Sequence, residues 1–334
     1  MDKLKLLREL RTEDEQHYRE LLAAFAKQRV MVVGDIYLDE YVFGSVTEVS
    51  LEAPIPVLEV IERRYNPGAA GNAACNAASL GGTVSMVGVV GADANADILR
   101  HEFALRNVDT SHLVVAEDRP TNTYGKLRAG GHNIPTQEVL RTDTPKPTPI
   151  DGELEAKVIA AIEALAPKVD AVMLGDQACS VLTDKVIETI VRCANAQGLA
   201  TVADSRKRAG IFKGIEIVVP NDQEAGLAAG IAVNDDASLE AAGKALLATA
   251  QNALVTLGPG GITLFAQDGS IENVPIRPVN VVDVTGAGDT VAAAVALTRA
   301  AGGTLRDAAF LGNLAAGIAC SKDGVVTVSN EEVV

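Results

Sequence analysis

The sequence predicts an α/β protein, a mostly parallel, doubly wound sheet flanked by helices, with a small β lid. Three observations predict it. Short apolar runs at 84–90, 171–174, 200–203, 217–219 and 253–257 alternate with helix-periodic stretches such as 97–106 and 184–196, which is the pattern of βαβ crossovers. Of the 334 residues 48% are hydrophobic but only 3% are aromatic and none is Trp, so the core is aliphatic, as strands covered on both faces require. Stretches 41–65 and 122–141 break the rhythm with alternating β-prone residues, prolines and a Gly130-Gly131 turn, and these read as a small sheet standing off the main domain. The length suits one large core with an appended smaller element, or two modest domains.

Residues 1–28 carry Leu4, Leu7, Leu10, Leu21, Leu22 and Phe25 at helical spacing and read as a helical extension that covers one end of the core or makes a dimer contact. The main domain is expected over 29–334. Its first strand, 29–34, ends in Gly34-Asp35, and a carboxylate at the end of a parallel strand faces the crevice where such sheets bind ligands. Asp35 and Asp39 are therefore candidate ligands for substrate hydroxyls, with a turn-capping role as the alternative. The pieces Tyr41-Val42-Phe43 and 56–61 alternate in a way that a buried parallel strand would not. Pro67-Gly68-Ala69-Ala70-Gly71-Asn72 then leads into a small-residue helix at 73–80; such residues let a ligand approach the backbone, which marks Gly68 and Asn72.

The densest signal is the run 281–290, Val-Val-Asp-Val-Thr-Gly-Ala-Gly-Asp-Thr, followed by an Ala-rich helix. An apolar strand end, the loop Gly286-Ala287-Gly288 and a helix N-terminus together present N–H groups to an anion. Asp289, at that terminus, could accept the proton of an attacking hydroxyl, so the combination suggests phosphoryl transfer; an N-capping Asp in an ordinary turn is the alternative. Asn221-Asp222-Gln223-Glu224 follows the strand 217–220, so its polar groups sit at the same carboxyl edge as Asp289; an N-capping Asn221 with a surface Glu224 is the alternative. Leu254 to Gly261 (L-V-T-L-G-P-G-G) is a strand into a glycine loop. The absence of G-x-G-x-x-G after the first strand weakens a dinucleotide reading.

A formal net charge of −15 argues against a nucleic-acid backbone or an anionic membrane as partner. Cys75, Cys179, Cys193 and Cys320 are dispersed, with no C-x-x-C, and the first twenty residues mix acidic and basic side chains unlike a signal peptide. The expectation is a reduced, cytoplasmic protein.

The run D-V-T-G-A-G-D-T resembles the D-x-x-G-A-G-D signature of the ribokinase-like (PfkB) sugar kinases, and the likeness spans residues 30–328. Segments Val32-Val33-Gly34-Asp35-Ile36-Tyr37-Leu38-Asp39 and Glu52-Ala53-Pro54-Ile55-Pro56-Val57 look most like the kinase half of bacterial ADP-heptose synthases. The resemblance implies a ribokinase-like fold and an ATP-dependent kinase for a small-molecule sugar or sugar phosphate. It implies Asp289 as base, Gly286, Ala287 and Gly288 as N–H donors, and Asn221 and Glu224 around Mg²⁺. Thr256, Gly258 and Gly261 would border the ATP, Asn313 the adenine, and Asp283 a monovalent cation such as K⁺. The lid would close over the sugar and exclude water, with Lys126, Arg128 and Arg141 meeting a substrate phosphate; a homodimer through the lid is a further expectation. The acceptor implied is D-glycero-D-manno-heptose 7-phosphate, with another sugar or nucleoside, or a regulatory protein that has lost catalysis, as alternatives. The chain departs from the pattern in three places: Gly68-Ala69 replaces a glycine pair, Asp176-Gln177-Ala178-Cys179-Ser180 replaces D-Y-x-K-G, and Asn66 replaces an arginine.

Overall fold

The computed structural model describes residues 12–131, 134–177, 180–277 and 279–333. Leu4, Leu7 and Leu10 of the expected extension, and Ala178 and Cys179, lie outside them. The strands are β1 (Arg29–Gly34), β2 (Ile36–Val49), β3 (Pro56–Ala69), β4 (Thr83–Gly91), β5 (Val108–Asp109), β6 (Leu113–Ala116), β7 (Thr123–Gly131), β8 (Ile134–Asp143), β9 (Ala171–Asp176), β10 (Ala200–Ser205), β11 (Ile217–Val218), β12 (Asn252–Thr256), β13 (Ile262–Phe265) and β14 (Ile271–Val274).

The main sheet runs β14-β13-β12-β11-β10-β9-β1-β4-β5, with β6 also on β4. From β12 to β5 every pairing is parallel, and β13 and β14 add antiparallel strands at one edge. Alternate residues of β1 enter different cores. Val30 and Val32 pack with the helices Ala70–Ser79, Ala287–Ala300 and Leu305–Cys320, while Met31 and Val33 pack with Gly152–Leu165, Asp184–Gln197 and Asp236–Leu246. This is the doubly covered, aliphatic sheet that the composition predicts. The helix Thr12–Ala24 contributes Tyr18, Leu21 and Leu22 to the first core. No helix among the described residues is long and apolar enough to cross a membrane.

β3-β2-β7-β8 form the second, smaller sheet. Its strands are longer than the expected lid pieces: β2 and β3 each span 14 residues, and β2 starts at Ile36, two positions after β1 ends. One expectation is corrected, because β2 pairs in parallel with β7 and its first residues are buried. A parallel neighbour needs a crossover, and residues 70–122, which pass through the main domain, supply it. A second correction concerns 281–284, which form no strand. The N–H groups of Val282 and Asp283 bond to the Cys320 carbonyl at a helix end, and Val281, Val282 and Val284 are exposed.

Two glycines set the junction of sheet and helix. Gly34 and Gly175 are register partners; a Cβ on Gly34 would lie 2.1 Å from the Gly175 carbonyl oxygen, and one on Gly175 2.7 Å from Ala70 Cβ. Their bareness lets the helix Ala70–Ser79 start directly above the ends of β1 and β9.

Candidate active site

A cleft of about 900 Å³ opens between the carboxyl edge of the main sheet and the small sheet, lined by residues of both. Gly68, Asn72, Lys126, Arg128, Arg141, Asp39, Asn221, Glu224, Thr256, Gly258, Asp283 and the whole Gly286-Ala287-Gly288-Asp289 loop line it. Asp39 and Asp289, 250 positions apart, therefore share one cavity.

Asp289 is the third residue of the helix Ala287–Ala300. Burial pushes its pKa up to about 6; the Asn72 hydrogen bond and the Arg206 charge oppose the rise, while Asp39 and Glu224 add to it. A carboxylate tuned near 6 is ionised at neutral pH yet basic enough to take an alcohol proton as the new bond forms. Its orientation comes from a chain of donors. Thr290 Oγ1 donates to Asn76 Oδ1 (3.1 Å), Asn76 Nδ2 to Asn72 Oδ1 (3.2 Å), and Asn72 Nδ2 to Asp289 Oδ2 (2.6 Å). Asn72, expected to hold the sugar, thus holds the carboxylate. Asn76 and Thr290 were not singled out from sequence, although Asn76 lies one helical turn beyond Asn72 on the same face.

Gly286 has φ +80°, and a Cβ there would lie 2.7 Å from Asn72 Nδ2, so a side chain would strain the turn and disrupt the amide-carboxylate contact. The space where a Gly288 Cβ would stand is open. Ala287 differs from expectation: its N–H donates to the Val284 carbonyl (3.2 Å), closing the turn that precedes the helix.

Asn221 and Glu224 form a full capping box on the helix Asp222–Ala229, Asn221 Oδ1 accepting from Glu224 N (2.8 Å) and Glu224 Oε2 from Asn221 N (2.9 Å). Both still line the cleft, so cap and cleft roles coexist. Asp204, not foreseen, joins them: burial raises its pKa well above the usual carboxylate value, and Asp289 and Glu224 raise it further. Burial likewise raises Glu224. Carboxylates that raise one another's pKa make a place where a hard cation would be welcome. Among the described residues no three acidic, His or Cys side chains converge into a metal cage.

On the small sheet, Tyr41 pairs with Lys126 and Lys126 with Arg141. Lys126 Nζ donates to the Tyr41 hydroxyl (3.1 Å) and lies 3.6 Å from Asp39 Oδ2. Arg141 is forked onto Asp143 (2.7 and 3.1 Å) and stacks 4.2 Å over Tyr124, and Arg128 lies 5.6 Å from the Phe43 ring. Burial raises the Asp39 pKa against the pull of Lys126.

Three expected ligands are elsewhere. Asp35 is fully buried and accepts from the N–H groups of Gln177, Ser180 and Val181 and from the Ser180 hydroxyl, closing the loop after β9 instead of facing a sugar. Gly261 (φ +84°) makes the turn into β13, where a Cβ would meet the Val274 carbonyl at 2.3 Å. Asn313 is buried and donates to that same carbonyl (2.7 Å). Neither lines the cleft. Asp283 lines it, but its oxygens accept from Thr285 N and Oγ1 and from Gly324 N; burial would raise its pKa, and these bonds outweigh that and lower it. Of the departing positions, Asn66 accepts from Arg106 (2.8 Å), Asp176 is held by Arg208 and Ser205, and Gln177 lines the cleft.

The architecture is shared with solved kinases. Phosphofructokinase-2 from Escherichia coli, in complex with substrates and products, superposes with a TM-score of 0.72 at 19% identity over 92% of this chain and 97% of that one. Ribokinase from Arabidopsis thaliana, complexed with ribose and ATP, gives 0.68 at 20% over 92% and 97%. The fold is therefore ribokinase-like. At the sequence level, residues 27–332 match the pfkB family of carbohydrate kinases, and the chain belongs to that family. The bifunctional protein HldE of Geobacter metallireducens is 39% identical over 94% of this chain, and that of Caulobacter vibrioides 38% over 93%. The chain spans 64% and 63% of the lengths of those two proteins. It is a carbohydrate kinase, as the loop at 283–289 implied.

Proposed function

We propose that this kinase transfers the terminal phosphoryl of ATP to a sugar phosphate, and that the acceptor is D-glycero-D-manno-heptose 7-phosphate, at its 1-hydroxyl, in ADP-heptose synthesis. The observation that carries the choice is the cationic row on the small sheet: Lys126, Arg128 and Arg141 line the cleft that also holds Asp289, and a neutral sugar has no need of them. Similarity to the bifunctional protein HldE, and the likeness of segments 32–39 and 52–57 to the kinase half of ADP-heptose synthases, support the same acceptor. Asp289 takes the proton of the acceptor hydroxyl as its oxygen bonds to phosphorus, and the bond from that phosphorus to the bridging oxygen breaks, releasing ADP. The exposed loop at Gly288 and the helix N-terminus stabilise charge on the phosphoryl in transit. Asn221 and Glu224, with Asp204 beside them, would hold Mg²⁺, which supplies charge neutralisation at the phosphates. Asp283 would serve a monovalent cation through its turn. The small sheet acts as lid, and Val49, Ile55, Val60 and Ile61, all exposed on it or its hairpin, support a homodimer through that sheet. A cytoplasmic setting, where ATP is plentiful, suits this chemistry.

The test is ADP release by the purified chain with ATP and Mg²⁺ against heptose 7-phosphate, neutral heptose, fructose 6-phosphate, ribose and a nucleoside. The expected result is the highest kcat/KM for heptose 7-phosphate. Equal use of the neutral heptose would defeat the assignment.

A further inference from the structure

The cations that line the cleft are Lys126, Arg128, Arg141 and Arg206 among the described residues. Three belong to the small sheet, and Arg206 alone comes from the main one. It follows the last residue of β10 on a loop that is fastened on both sides. Asp176, buried at the end of β9, accepts from Ser205 Oγ (2.7 Å) and from both forks of Arg208, while its carbonyl accepts the Arg206 N–H (3.3 Å). Ser205 Oγ also accepts the Arg208 N–H (2.9 Å). The backbone of residue 206 is therefore held in place by the arginine two positions on.

The Arg206 side chain itself is exposed and makes no hydrogen bond or ion pair among the described residues, whereas Arg141 is forked onto Asp143 and Lys126 is shared between Tyr41 and Asp39. Arg206 shares the cleft with Asp39 of the small sheet and with Glu224 and Asp289 of the main domain, and its charge opposes the upward pKa shifts of Asp39 and Asp289. A cation that faces acceptor-side and nucleotide-side carboxylates at once stands near the path between them, and a phosphoryl group in transfer must occupy that path.

We propose that Arg206 is a catalytic residue, its guanidinium contacting the oxygens of the phosphoryl group as it passes from nucleotide to acceptor. The proposal rests on the phosphoryl-transfer reading but not on the choice of acceptor. A planar fork on a fixed backbone can follow the phosphoryl from one bridging oxygen to the other, and an arginine so used acts on the transition state more than on either bound substrate.

Arg206→Ala and Arg206→Gln are compared with wild type by steady-state kinetics on whichever sugar the wild type phosphorylates, with melting curves for all three. The expected result is a kcat lower by about 10²- to 10³-fold, with KM for ATP and for the sugar little changed and melting unaffected. Added guanidinium chloride should restore part of the turnover of Arg206→Ala and leave wild type unimproved, which a merely structural role would not produce. Near-normal kcat in either folded variant overturns the proposal, and so does a loss confined to the sugar's KM, which would make Arg206 an anchor for the acceptor's own phosphate. If wild type favours a neutral sugar, the acceptor assignment fails while this test stands unchanged.

Discussion

At Asp289 chemistry and stability pull in opposite directions. Its carboxyl titrates near 6 in the folded chain against an ordinary 3.8, so folding favours the protonated form. Because the folded pKa is the higher one, the group's stabilising contribution is present below about pH 4 and is lost as pH rises through 6. At pH 8 the ionised carboxylate is a cost of roughly 1–2 kcal/mol once solvent screening in the open cleft is allowed for. Asp289→Asn should abolish nearly all turnover, by about 10²- to 10⁴-fold, while raising the melting temperature at pH 8 and leaving it unchanged near pH 4. Steady-state rates and melting curves at the two pH values check both halves; full activity in the variant would remove the base. Ala69 carries a second strain. It replaces the second glycine of the family pair and still adopts φ +54°, ψ −129°, a region open to glycine. Such strain costs about 1–3 kcal/mol, against the 0.4–1 kcal/mol that glycine loses through a freer unfolded chain. Ala69→Gly is therefore expected to stabilise the protein by roughly 1 kcal/mol in a denaturant titration, and a destabilised variant would show that the alanine methyl packs better than the backbone suffers.

Strand period explains the small sheet at the level of the element. Asp39, Tyr41 and Phe43 alternate on β2 as Tyr124, Lys126 and Arg128 do on β7, and register brings Tyr41, Lys126 and Arg141 side by side. The aromatic partners Tyr41 and Tyr124 could have been read from the sequence by extending the same period-2 count from the cations. Since Lys126 and Arg141 already have protein partners, a substrate phosphate would compete for them, and the guanidinium with its fixed fork should matter most. Arg141→Ala should raise KM for a phosphorylated acceptor by about tenfold or more, a charge-assisted bond being worth about 1.5–3 kcal/mol, with KM for ATP little affected. Equal effects on both substrates would instead mean that Arg141 supports the sheet through Tyr124 and Asp143. Capping chemistry works at this scale too: the Asn221/Glu224 box is fully legible as N-x-x-E before a helix, but only the packed structure sets Asp204 beside it.

The molecule as a whole combines a thick main sheet with a thin one that has little to pack against. Ile61 is 74% exposed and Val60 46% exposed on β3, a concentration of apolar surface that the net charge of −15 does not cover. Burial of such a surface against a second copy predicts a concentration-dependent dimer, which sedimentation velocity would detect and Ile61→Asp should dissociate; a strictly monomeric wild type would refute the lid contact. The sequence by itself determined the α/β class, the strand-helix order after residue 84 and the carbohydrate-kinase family, because these follow from local periodicity and a short contiguous motif at 283–289. Tertiary structure decided what local signals do not encode. It turned Asp35 inward to hold the 177–181 loop, since β1 and β9 are neighbours only in space, and it drew Asn72, Asn76 and Thr290 into one donor chain ending on Asp289. It made β2 and β7 parallel partners through a crossover of some fifty residues, and it set Arg206, among the described residues the one cleft-lining arginine from the main sheet, in the same cleft as Asp39, Glu224 and Asp289, an arrangement that depends on long-range packing and on no motif.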